Sequence, residues 1–152
     1  MPATREQILE SLCKAYNMEV ETIANYLAAS HNLDGLRADF VKQALAADVQ
    51  GELTHATQLG NRIKQLDGTV PGSMQLKMTQ KTLQPPADTT DVIAVIRGVL
   101  DAEEEAIVHY NALIKLTDGV DYVTQDLAIT ILADEEGHRR QFQGYLKEYL
   151  KK

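Results

Sequence analysis

Apolar residues recur at steps of three and four through four long stretches of this chain, and no stretch sustains the alternation of a strand. The first stripe runs Ile8, Leu12, Tyr16, Glu19, Ile23, Tyr26, and the second Val41, Leu45, Val49, Glu52, His55 or Ala56, Leu59, Ile63, Leu66. The third gives Ile96, Val99, Glu103, Ile107, Tyr110, Ile114, and the fourth Ala128, Ile131, Glu135, His138, Phe142, Leu146. Thr4 with Gln7 reads as a capping box that opens a first helix running to about His31. Asn32-Leu33-Asp34-Gly35 reads as a turn, after which a second helix runs to about Leu66, ahead of Asp67-Gly68. A polar connection with Pro71, Gly72, Pro85 and Pro86 then spans Thr69 to about Thr90, too long for a tight turn between antiparallel neighbours. The third helix is expected from near Asp91, capped by Thr89 or Thr90, to near Thr117. Asp118-Gly119 breaks the pattern, and Asp121 can cap a fourth helix that continues nearly to the C-terminus. The fold class is all-α: one domain over residues 1–152, two helical hairpins joined by one long crossover.

Each stripe is interrupted by charge, and the interruptions repeat. Glu52-x-x-His55 and Glu135-x-x-His138 occupy the middles of the second and fourth helices. Glu19 lies 33 residues before Glu52, and Glu103 lies 32 before Glu135. Tyr26 and Tyr110 each follow the upstream glutamate by seven residues. The same constellation thus appears once per hairpin, which implies a pseudo-two-fold axis through the bundle. Glu and His at i and i+3 project from one side of a helix, so each pair can reach a common centre.

Four glutamates and two histidines thereby converge on one apolar interior. Unpaired carboxylates there would each cost several kcal/mol, and nothing basic shares their faces. Two divalent cations balance four carboxylates, and mixed oxygen and nitrogen donors suit iron, manganese or zinc better than calcium or magnesium. His55 and Glu19 are assigned to one metal, His138 and Glu103 to the other, with Glu52 and Glu135 bridging. This is the arrangement known for di-iron carboxylate bundles. The same six residues and Tyr26 form the candidate catalytic set.

Other residues change the picture less. Tyr26 can hydrogen-bond a ligating glutamate or supply an electron during oxygen reduction, whereas Tyr110 reads better as a core tyrosine. Asp134 can bond a ligand histidine from outside. Glu21, His31 and His109 read as solvated or surface groups, Met18, Met74 and Met78 as packing, and Cys13 as a small core residue. Gly51 and Gly137 stand mid-helix beside ligands, where close helix approach or a local bulge would account for them.

Composition adds bounds. A single cysteine excludes an internal disulfide framework and fits a reducing cytoplasm. No apolar run reaches the ~20 residues of a membrane span, and the opening MPATREQ lacks the layout of a signal peptide. A formal net charge of −7 argues against nucleic-acid binding by charge.

The chain resembles the bacterioferritins, within the wider ferritin-like class. Asp134-Glu135-Glu136-Gly137-His138 is similar to that family's fourth-helix motif, and Asp121-Tyr122-Val123 to the start of the same helix. Glu19 with Ile23, Asn25 and Tyr26 resembles the first helix, and Glu52-Leu53-Thr54-His55-Ala56 the second. The resemblance implies a ferroxidase centre holding two iron ions per subunit. It would oxidise Fe(II) with O2 or H2O2 inside a hollow homo-oligomer that stores ferric mineral. Leu53 replaces the family's haem-ligating methionine, so the resemblance does not extend to haem, and Gly51 replaces an aspartate. With 14 residues after His138, the fifth helix of 24-subunit cages is expected to be missing. A smaller Dps-like shell of 12 subunits with a bacterioferritin-type intrasubunit site is the favoured reading, ahead of a 24-mer. Two other readings compete: a rubrerythrin-like peroxidase or oxidase without storage, and a metal-free helical interaction bundle.

Overall fold

A computed structural model describes residues 1–151. Among them are α1 (Arg5–Asn32), α2 (Asp39–Gln65), a 3-10 turn at Ser73–Gln75, α3 (Val92–Thr117) and α4 (Tyr122–Tyr149), with no strand. Each helix spans 26 to 28 residues, roughly 40 Å at ~1.5 Å per residue. The capping box opens α1 as expected: Gln7 N donates to Thr4 Oγ1 and Thr4 N to Gln7 Oε1. Asp121 caps α4 by accepting from Thr124 N, and the Arg62 guanidinium grips the same carboxylate at 2.8 Å, tying the end of α2 to the start of α4. Two boundaries differ from expectation. The α1–α2 turn uses residues 33–38, so α2 starts at Asp39. Asp91 rather than Thr89 or Thr90 caps α3, because Thr90 is bonded back to Asp88.

The closest helix pairs are α1 with α2 and α3 with α4, and α1 also packs along α3. Two apolar clusters fill the interior. One includes Leu33, Val41, Leu45, Ile96, Val99 and Phe142, and the other Ile8, Leu12, Leu59, Ile63, Leu113 and Ile131. Full burial of each such side chain contributes about 1.5–3 kcal/mol. Along every helix the residues of one cluster lie before the central glutamate and those of the other after it, so a polar layer divides the core at mid-height.

The opposite face of α1, which reads as solvated, is covered by the crossover. Asn17, Glu21 and Asn25, at four-residue spacing, form a polar strip that docks residues 77–84. Asn17 Oδ1 accepts from Lys77 N and its amide donates to Lys77 O. Glu21 Oε1 accepts from both Thr79 N and Gln80 N at 2.6 Å, and Asn25 donates to Gln80 Oε1. Glu21 is therefore buried, contrary to expectation, because an irregular segment must find acceptors for its own amides. Leu83 drops into the first cluster, and the crossover backbone passes over Gly98 so closely that a Cβ there would meet Thr82 O at 2.6 Å.

Several further readings are corrected. His109 is buried, its Nε2 facing Ser11 O at 2.9 Å. Met74 and Met78 are exposed, Met18 is half-buried, and Cys13 is only half-buried beneath Thr69, with burial raising its thiol pKa. His31 is exposed, as read. Gly51 and Gly137 lie in uninterrupted α-helix with open space where a Cβ would point, so neither close approach nor a bulge explains them. Nothing in the fold does. No helix among the described residues is long and apolar enough to cross a membrane.

Glu21→Ala would strand two crossover amides and is expected to lower unfolding stability by about 2 kcal/mol. Glu21→Gln, which keeps an acceptor, should cost less than half of that in denaturant titration. Equal losses in the two variants would refute the role given to the Glu21 acceptor.

Candidate metal centre

The polar layer is built from all four helices. α1 contributes Glu19, α2 Glu52 and His55, α3 Glu103, and α4 Glu135 and His138. The helical stripes place them: each glutamate stands where the periodicity calls for a core residue, so folding the apolar neighbours buries the carboxylate with them. The four glutamates are at most 3 % exposed. Their donor atoms fall into two groups, each within 4.8 Å: Glu19, Glu52, His55 and Glu135, and Glu52, Glu103, Glu135 and His138. Glu52 and Glu135 belong to both.

Both imidazoles turn Nδ1 inward. His55 Nδ1 lies 3.1 Å from Glu135, 3.4 Å from Glu52 and 3.7 Å from Glu19. His138 Nδ1 lies 3.3 Å from Glu135, 3.4 Å from Glu52 and 3.6 Å from Glu103. Despite these distances, Glu52 Oε1, Glu103 Oε2, Glu135 Oε1 and both Nδ1 atoms are buried without an aligned hydrogen-bond partner. Buried polar atoms are rarely left so, and here they converge from different helices on two points. Carboxylate oxygens and imidazole nitrogens in sets of four are a donor set that first-row divalent ions accept.

The ferritin-like domain family, by its sequence profile, matches residues 9–151. The chain belongs to that family. This ferritin-like protein is 28% identical over 145 residues to a "DNA protection during starvation protein" of Pyrococcus furiosus, an alignment covering 93% of this chain and 77% of the relative. Its fold matches a dodecameric thioferritin, the bacterioferritin-related protein of Bacteroides fragilis. There the TM-score is 0.86 and the identity 24%, with 97% of this chain and 88% of that one covered. It also matches a ferritin-like di-iron carboxylate protein of Bacillus anthracis, with a TM-score of 0.83 and 20% identity over 96% of this chain and 99% of that one. At those identities the two structures establish the fold alone.

Two tyrosines lock the ferritin-like bundle around the layer. Tyr26 of α1 donates to Glu103 of α3 at 2.5 Å, and Tyr110 of α3 donates to Glu19 of α1. Each hairpin thus holds the other's carboxylate, and Tyr110, expected only as a core tyrosine, is as closely engaged as Tyr26. Burial first, and the neighbouring carboxylates second, raise both phenol pKa values far above their usual range, so both remain O–H donors. Outside the layer, Asp134 Oδ2 meets His55 Nε2 at 3.0 Å, and Asp48, which sequence reading missed, approaches His138 Nε2 at 3.9 Å. Asp48 could have been found as the residue one turn before Glu52 on the same face. Leu53 points away from the layer and is half exposed.

On their own, the six groups share protons. Burial pushes Glu19 well above the carboxylate range, and burial with the charge of Glu135 pushes Glu103 up to about 8. Burial also opposes ionisation of Glu52 and Glu135. For Glu52, contacts from Glu19, His138 and His55 outweigh that and lower its pKa, and for Glu135 those from His138 and His55 do the same. Burial alone would depress both imidazoles, yet the surrounding carboxylates hold them well above the usual histidine range.

A small pocket lined by Met18, Thr22, Ala102 and Ala106 reaches Glu19, Glu52, Glu103 and Glu135 from between α1 and α3. Met18 also lines an outer groove of about 900 Å³ with Lys14, Asp101, Glu104 and His109. Met18 thus borders both spaces, between the outer groove and the carboxylates.

Two outcomes are expected. Above pH 5, Glu19, Glu103 and both histidines bind protons more tightly folded than unfolded, so metal-free stability should fall as pH rises from about 5 to 8. His109, depressed by burial, opposes this as a single group. Thermal unfolding in chelator should show the decline and Zn(II) should abolish it; a flat profile in chelator would contradict the protonation scheme. Separately, Met18→Trp should slow Co(II) uptake at least ten-fold in stopped-flow mixing while leaving the number of ions bound unchanged.

Proposed function

We propose that the chain is a ferroxidase that oxidises Fe(II) at the six-residue centre and stores the ferric product inside a homo-oligomeric shell. One observation carries the reading: two sets of buried, hydrogen-bond-orphaned donors that share two carboxylates. Fe(II) is the substrate. Glu19 and His55 hold one ion, Glu103 and His138 the other, and Glu52 and Glu135 bridge the pair. Four carboxylates neutralise two Fe(II), so loading removes the burial penalty and displaces the protons held on Glu19, Glu103 and the imidazoles. Manganese or zinc can take the same positions.

Each Fe(II) then gives up one electron. Two electrons and two protons convert H2O2 to two waters, or O2 to H2O2. Hard carboxylate oxygens favour the higher charge of Fe(III), which drives the step. Tyr26 and Tyr110 keep Glu103 and Glu19 aimed at the ions, and Tyr26 can also act as an electron donor. Met18 governs access.

A dodecamer would have a mass of about 200 kDa from 16.9 kDa subunits, and a 24-mer twice that. The dodecameric relative supports the smaller shell. Protection of DNA, as the archaeal relative's name describes, would come to this chain through consumption of iron and oxidant. A net charge of −7 disfavours coating a phosphate backbone. We assign no haem.

Anaerobic titration should saturate at two Fe(II) per chain, and admitting O2 or H2O2 should oxidise both within seconds. Glu52→Ala combined with Glu135→Ala should lose both binding and rapid oxidation. Saturation at one ion, or oxidation that survives the double variant, would defeat the proposal.

A further inference from the structure

The two histidines are supported differently from outside. His55 Nε2 meets Asp134 Oδ2 at 3.0 Å, and Asp134 is the residue immediately before Glu135. By the internal repeat, His138 should be met by the residue immediately before Glu52, but that residue is Gly51. Asp48 approaches instead, from one turn earlier on α2, with Oδ1 3.9 Å from His138 Nε2. A residue four before Glu52 lies roughly 6 Å along the axis on nearly the same face, so it can reach the ring that Glu52 faces.

Asp48 also lacks any other occupation. Its side chain is 14% exposed against 59% for Asp134, and its Oδ2 is buried without a hydrogen-bond partner. Among the described residues no lysine or arginine lies within ion-pair distance of it; the only ion-pair partner is His138. A carboxylate held this way is costly unless it accepts a hydrogen bond, and the ring nitrogen it approaches is His138 Nε2.

We propose that Asp48 is the positioning residue for His138. It accepts from Nε2–H and so fixes the tautomer that presents Nδ1 to the metal, replacing from one turn away the aspartate that the repeat lacks at position 51. Groups that orient a ligand imidazole in this way typically change metal affinity 10- to 100-fold. The proposal requires the 3.9 Å separation to shorten by about 1 Å to hydrogen-bond length on metal loading. This inference rests on the metal reading above.

The test is an anaerobic Co(II) titration of the assembled protein, followed by visible absorption and competition with a chelator. Asp48→Ala should weaken one of the two Co(II) equivalents at least 10-fold and leave the other unchanged. Asp48→Asn, which keeps an acceptor and the shape, should lose less and controls for folding. The weakening should vanish in a His138→Gln background and persist in His55→Gln. Adding G51D to D48A should restore the affinity, because a side chain at position 51 meets open space. A merely structural role would not give that rescue. Two wild-type Co(II) equivalents unchanged in D48A, or a D48A effect that persists in full with His138→Gln, would overturn the role of Asp48 alone. Wild-type protein that binds no Co(II) would overturn the metal reading and this inference with it.

Discussion

Four carboxylates and two imidazoles lie in the middle of a helical bundle, and among the described residues no lysine or arginine reaches them. The rest of the architecture follows from that constraint. Apolar clusters above and below the layer leave its carboxylates at most 3 % exposed, which raises the cost of every unpaired charge among them. The groups moderate that cost by sharing protons, which explains why Glu19 and Glu103 are pushed up while Glu52 and Glu135 are held down. Even so, Glu52 Oε1, Glu103 Oε2, Glu135 Oε1 and both Nδ1 atoms are left without partners. Such a layer is poorly satisfied alone and well suited to two cations.

Placing the layer at mid-bundle also decides how the hairpins associate. Besides the two apolar clusters, α1 meets α3 through what surrounds the layer: the paired tyrosines, each on the opposite hairpin's glutamate, and the crossover that bridges both helices. The crossover does more than connect. By hydrogen-bonding Asn17, Glu21, Thr22 and Asn25 it covers the flank of α1 beside the centre. Met18 borders the gap between α1 and α3 that remains beside it. A long, irregular segment can serve here because the polar strip on α1 supplies acceptors for its amides.

Much of this is legible in the sequence. The phase of Glu19, Glu52, Glu103 and Glu135 within apolar stripes is a local property, and a helix carries it faithfully into the core. The capping signals at Thr4 and Asp121 are equally local. What escaped reading depends on partners distant in the chain. Glu21 and His109 lie outside the apolar stripes, and their burial comes from the crossover and from the backbone of Ser11. Tyr110 differs from Tyr26 by nothing that periodicity can see, and only the crossed packing of α1 and α3 makes them equivalent. Asp48 stands one turn before Glu52 rather than directly before it, where Asp134 stands before Glu135, so the repeat does not mark it.

The most direct test of the account is a crystal structure of the protein soaked with Co(II), with anomalous scattering recorded at the cobalt edge. Two peaks per chain are predicted, one beside Glu19 and His55 and one beside Glu103 and His138, joined by Glu52 and Glu135. No peak in the layer, or a single ion with Glu52 or Glu135 turned away, would contradict it.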